Sequence, residues 1–157
     1  MMSLLPKMAI IYASGLGRTM LMAESIAEGA KTVSGIEILL KEVSYAVPDD
    51  VKDADAILLG GSTYNHKLIE SMNAYLESLG KLDLKGKLGL AFGSYGWSGE
   101  GVPTMVDRMK SLGISLIEPG ISIKQMPNEK VIKEFFMLGM KIAQEIKEGR
   151  GSERSRS

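Results

Sequence analysis

Two kinds of segment alternate along this chain. Short apolar runs that end in small residues alternate with longer stretches whose apolar residues recur at helical spacing. Met8 to Tyr12, Ala54 to Gly60 and Leu88 to Phe92 are mostly apolar at consecutive positions, as strands buried on both faces require. Ile36 to Val43 carries Glu37, Lys41 and Glu42 and reads as a strand nearer an edge. Ile114 to Ile123 is the fifth strand, interrupted around Pro119-Gly120. Between the strands lie the stripes. Ala23, Ile26, Ala27 and Ala30 share one helix face. Leu68, Met72, Tyr75, Leu76 and Leu79 share another, with Gly80 as the expected C-cap. Val102, Met105, Val106, Met109 and Leu112 close on Gly113, and Ile132 to Ile146 ends at Gly149. Pro48 to Lys52 reads as a short helical turn with proline at its start. Strands that alternate with helices imply a parallel α/β sheet, helices on both faces and right-handed crossovers.

The chain has 157 residues, the size of one domain. Such a chain buries roughly 68–70% of its unfolded surface and needs no disulfide or metal to fold. Residues 1–149 are read as that domain and residues 150–157, which lack apolar side chains, as a disordered tail. There is no cysteine, which excludes disulfides, thiolate iron–sulfur ligation and cysteine catalysis. The 19 basic and 19 acidic residues cancel, so no nucleic-acid partner is expected. The N-terminal apolar run is too short for a signal peptide, and no run reaches the ~18 residues of a membrane span. A soluble, cytoplasmic protein without a membrane partner is the expectation. The 11 methionines fall mostly on helical stripes and read as core filling.

In open α/β sheets ligands bind beyond the carboxyl ends of the strands. The loops after strands one, three and four therefore belong together. The first runs Ser14, Gly15, Leu16, Gly17, Arg18, Thr19. Its glycines let the backbone approach a ligand, and it opens a helix whose N–H groups and dipole favour an anion. Ser14 and Thr19 add hydroxyls and Arg18 a charge, a set that suits a phosphate. An ordinary strand-to-helix turn is the plain alternative. The second loop holds Ser62, Thr63, Tyr64, Asn65 and His66. Tyr64 can stack on a ring, and Asn65 tolerates left-handed backbone. His66 reads either as a solvent-facing loop histidine or as a contact to a substrate or nicotinamide. The third is FGSYGWSGEG, Phe92 to Gly101, with Ser94, Tyr95, Gly96, Trp97 and Ser98. It is rich enough in glycine to read as loop, and its rings suit either a packed turn or a flat aromatic ligand.

Competing motifs are incomplete. A dinucleotide fingerprint needs a small residue where Met20 stands, and no G-K-[ST] follows for a P-loop. Receiver domains need paired carboxylates after strand one and an aspartate after strand three. Those places hold Tyr12-Ala13 and Gly60-Gly61. The D-x-H-x-x-G loop of cobalamin domains is absent.

Ser14-Gly-Leu-Gly-Arg-Thr19 resembles the flavodoxin phosphate signature T/S-x-T-G-x-T. Gly60-Gly-Ser-Thr-Tyr-Asn65 is similar to the family's second loop, G-S-P-T-Y/I-N. Phe92-Gly-Ser-Tyr-Gly-Trp-Ser-Gly99 resembles most closely the flavodoxin-like domain of A-type flavoproteins, the flavo-diiron proteins. The likeness covers about residues 6–148. It implies a flavodoxin-like doubly wound sheet of five parallel strands, order 2-1-3-4-5, in three αβα layers. It also implies FMN, with Ser14 to Thr19 on the phosphate and Thr63 to His66 and Ser94 to Ser98 around the isoalloxazine. Tyr64 or Trp97 would lie near the ring. Leu16 replaces a usual threonine, Arg18 a neutral residue, and Ser62 a common proline. Many flavodoxins are strongly acidic; this neutral chain would steer partners weakly. With His66 as its one histidine, the chain is not expected to carry diiron chemistry. The implied function is electron transfer between redox partners, such as a diiron or iron–sulfur protein, by a monomer or homodimer. The implied alternative is an NAD(P)H-dependent quinone or metal reductase. A flavin-free interaction module is the remaining reading.

Overall fold

The computed structural model describes residues 5–156, and side chains through 149. The described residues form one main sheet with helices on either side, and a separate two-stranded hairpin. β1 (Lys7–Ala13), β3 (Ala56–Gly61) and β6 (Leu88–Tyr95) form its centre, with β2 (Glu37–Glu42) outside β1. The far edge is one interrupted strand. β7 (Ser115–Leu116) pairs with the start of β6, and β8 (Ile121–Lys124) pairs with its end. All these pairings are parallel, in the order β2-β1-β3-β6-β7 with β8 also on β6. That is the expected 2-1-3-4-5 order, and the break falls at Pro119-Gly120, where Gly120 takes a φ of 107°.

The apolar runs explain the layers. β3 is buried at every position, whereas β2 is buried at none, as its charges foretell. One core packs α3 (Glu70–Ser78) and α4 (Gly101–Ser111) on one face through residues such as Leu59, Met72 and Met105. The other packs α1 (Arg18–Ala30) and α5 (Glu129–Arg156) on the opposite face through Ile10, Ile26, Phe92 and Phe135. α1 and α5 touch backbone to backbone. A Cβ on Gly139 would lie 2.0 Å from Ile26 O, and one on Gly29 would lie 1.8 Å from Phe136 O. The short α2 (Asp49–Lys52) is the expected turn after Pro48.

Four details differ from the sequence reading. Leu68 is not helical; it belongs to a small hairpin, β4 (Thr63–Tyr64) with β5 (Lys67–Leu68). Gly80 does not cap α3, because a 3-10 turn over Leu79–Lys81 carries the chain on without positive φ. The glycine-rich stretch from Phe92 is half strand, since β6 continues to Tyr95. Glycine is what permits this: a Cβ on Gly93 would lie 2.0 Å from Gly61 O, so only a bare backbone lets β6 pass there. Finally, α5 runs through Gly149 to Arg156. A single helical glycine costs about 1 kcal/mol and does not force a stop. The tail expected over 150–157 otherwise falls outside the residues whose side chains are described. Gly113, by contrast, follows α4 at φ 83° as a helix C-cap glycine does.

Candidate functional site

Three loops leave the carboxyl ends of β1, β3 and β6 and meet in one cleft of about 250 Å³. Gly15, Leu16 and Arg18 line it from the first loop, Ser62 to Asn65 from the second, and Ser94 to Trp97 from the third. A smaller cleft of about 110 Å³ adjoins it between Thr63, Asn65, His66, Trp97 and Ser98.

The first loop leads straight into the N-terminus of α1. Gly17, the residue before α1, takes φ 82° and donates its N–H to Ser14 Oγ at 2.9 Å. α1 has no side-chain cap and no acidic residue in its first turn. Its leading N–H groups therefore face the loop without an internal anion. Ser14 shapes the loop from within and is not among the residues lining the cleft. Thr19 is fully buried, and its hydroxyl lies 3.1 Å from Ser94 Oγ and accepts from Ser94 N–H at 3.2 Å. The loop's charge is left to Arg18, at the cleft wall.

The second loop is a hairpin with a two-residue turn. Asn65 and His66 both have positive φ, 52° and 62°, the requirement of a type I′ turn. The sequence signals the left-handed Asn65 but not the hairpin, because histidine stands where glycine usually does. The hairpin is tied to the third loop at two points. Gly101 N–H donates to Thr63 Oγ1 at 2.8 Å, and His66 Nδ1 lies 2.9 Å from Ser98 Oγ. Gly101 and Glu100 are the site residues that sequence reasoning missed; neither carries a motif signal. The Ser98 hydroxyl, assisted by Glu100's own N–H and by nearby His66, holds the exposed Glu100 carboxyl below its ordinary range.

The rings stand at the rim. Trp97 is 88% exposed and Tyr64 76%, which sets aside a packed turn for either. Tyr95 is half-buried, and its carbonyl accepts from Gln125 N–H at 2.6 Å. Leu16, 77% exposed, completes an apolar lip drawn from all three loops. Among the described residues no group of His, Asp or Glu is placed to hold a metal ion.

A doubly wound sheet whose loops after β1, β3 and β6 meet in one cleft at the carboxyl ends of the strands defines an α/β protein with its ligand cleft at the usual place for such sheets. Residues 10–139 match the family model for Flavodoxin, and the chain belongs to the flavodoxin family. A solved flavodoxin from the domain Archaea superposes with a TM-score of 0.83 at 32% identity, over 90% of this chain and 99% of that one. The Type A flavoprotein fprA of Rhodobacter capsulatus is 33% identical over 141 residues, 87% of this chain and 32% of that protein. The flavo-diiron protein FprA2 of Clostridium acetobutylicum is 32% identical over 143 residues, 87% of this chain and 36% of that protein. The chain thus spans about a third of the length of these curated relatives. Flavodoxins bind FMN. The residues around the cleft suit that group: a helix N-terminus and a cation from the first loop, exposed rings from the other two.

Proposed function

We propose that this chain carries electrons between redox partners by holding FMN in the cleft after β1, β3 and β6. The convergence of the three loops on one cavity carries this reading. Bound FMN supplies redox chemistry in one- or two-electron steps. The protein's part is to bind, orient and tune. The first turn of α1 and Arg18 receive the phosphate, where charge-assisted hydrogen bonds contribute about 1.5–3 kcal/mol each. Tyr64 and Trp97 cover the flat ring system. The Tyr64–Asn65 peptide, at the left-handed turn, would be the acceptor for the ring's N–H.

Leu16, Tyr64 and Trp97 leave an apolar lip around the cleft, and the chain has no net charge. Partner docking then rests on short-range contact more than on long-range steering. The partner class is a diiron or iron–sulfur protein, met by a monomer or homodimer in the cytoplasm. Among the described residues no helix is long and apolar enough to cross a membrane.

Absorbance during stepwise chemical reduction tests the proposal. Flavin at about one equivalent per chain, reduced in two separated one-electron steps, is the expected result. Direct reduction by NADH or NADPH without a partner would favour a reductase instead. Protein that takes up no FMN would contradict the reading.

A further inference from the structure

The hairpin tip presents an unusual arrangement. Asn65 and His66 are consecutive non-glycine residues in the left-handed region. That conformation is uncommon even for asparagine and histidine, and it persists where the surroundings over-determine it. Both residues are exposed, so burial does not impose it. A contact that spans 32 positions of sequence does bear on it: His66 Nδ1 to Ser98 Oγ, 2.9 Å.

Ser98 directly follows Trp97, and the two residues share a small cleft with His66. The lips are already joined near the hairpin base by Gly101 N–H to Thr63 Oγ1. The His66 bond adds a tie at the tip, beside Tyr64. The two atoms lie within hydrogen-bond distance, and which of them donates follows the tautomer of the imidazole.

We propose that His66 is a positioning residue, whose hydrogen bond between Nδ1 and Ser98 Oγ latches the hairpin tip to the Trp97 loop and sets the opening of the ring half of the cleft. This rests on the FMN reading above. His66 need not touch the cofactor; it acts through the loop that bears Trp97.

Three variants test it: Ser98→Ala, His66→Gly and the double. Glycine at 66 accepts positive φ, so it keeps the turn while removing the imidazole. Ser98→Ala leaves the turn untouched. The chain has one tryptophan, so fluorescence anisotropy in flavin-free protein reports the Trp97 loop alone. All three variants are expected to lower that anisotropy. Each single variant should weaken FMN binding about three- to tenfold. The double should be no weaker than the worse single, and Ser98→Thr should restore affinity. The midpoint potential of bound flavin should shift in step with the singles. Unchanged anisotropy in Ser98→Ala, or a double variant whose loss is the product of the singles, would overturn the latch. The anisotropy arm needs no flavin. A wild-type protein that binds no FMN would therefore contradict the functional reading and leave the latch to be decided by anisotropy.

Discussion

Thr19 and Ser94 are bonded twice: Oγ1 to Oγ at 3.1 Å, and Ser94 N–H to Thr19 Oγ1 at 3.2 Å. The pair bolts the start of α1 to the end of β6 beside the cleft. Thr19 is fully buried and Ser94 is 5% exposed at the cleft wall, so water is a poor substitute for a lost partner. Thr19→Val keeps the shape and strands two polar groups of Ser94. An unsatisfied buried group costs about 1–3 kcal/mol. For a domain of this size that lowers Tm by about 2–4 °C per kcal/mol. Thermal unfolding of flavin-free protein measures it, and an unchanged Tm would contradict the role given to the pair.

This pair also shows where sequence reasoning reached and where it stopped. The strands, stripes and three loops were legible, because period and glycine placement are local signals. Strand order followed from the resemblance carried by Ser14–Thr19 and the FGSYGW stretch, not from periodicity. The direction of the Thr19 hydroxyl was not legible, since it depends on Ser94, 75 positions away. The β4–β5 hairpin hid because Asn-His is a weak hairpin turn. The extension of β6 to Tyr95 depends on Gly93 passing the Gly61 carbonyl, a contact between two strands. Glu100 joined the site only through Ser98 and the hairpin it faces.

The α1–α5 contact sets a second expectation. Gly139→Ala places a methyl 2.0 Å from Ile26 O, on backbone that cannot swing aside. Overpacking costs typically 1–3 kcal/mol, and this should exceed the about 1 kcal/mol gained in helix propensity. Gly80→Ala meets nothing within 4 Å and has no positive φ. It should be neutral or stabilising by up to about 1 kcal/mol. Urea denaturation of both variants checks the contrast; equal stabilities would contradict the packing.

A third expectation concerns acid. Burial alone would raise the Asp50 carboxyl, but the Val47 N–H, at 2.8 Å, and the Lys41 ammonium, at 3.1 Å, hold it below its ordinary value. Its folded pKa is depressed, so its stabilising contribution is present above the unfolded value, about 3.9, and is lost as pH falls through the folded one. Asp50→Asn should cost about 1–2 kcal/mol at pH 7 and flatten the acid limb of the stability curve below about pH 4. Denaturation at a series of pH values reads this; an acid limb unchanged in the variant would count against it.

Trp97 offers an optical test of the rim. In flavin-free protein its ring is 88% exposed and should emit as a solvated indole. FMN lying beside it should quench that emission strongly, with recovery on flavin removal. Trp97→Phe should keep FMN binding within about tenfold and abolish the signal. Equal emission with and without bound FMN would move the ring away from Trp97.

The most direct test of the central claim is a pair of equilibrium titrations of flavin-free protein, one with FMN and one with riboflavin. Riboflavin keeps the ring and lacks the phosphate. The expected result is saturable FMN binding at one per chain, with riboflavin at least about 100-fold weaker because the α1 N-terminus and Arg18 lose their anion. Equal affinities, or no binding of either, would contradict a phosphate cradle at Ser14 to Thr19 and the function built on it.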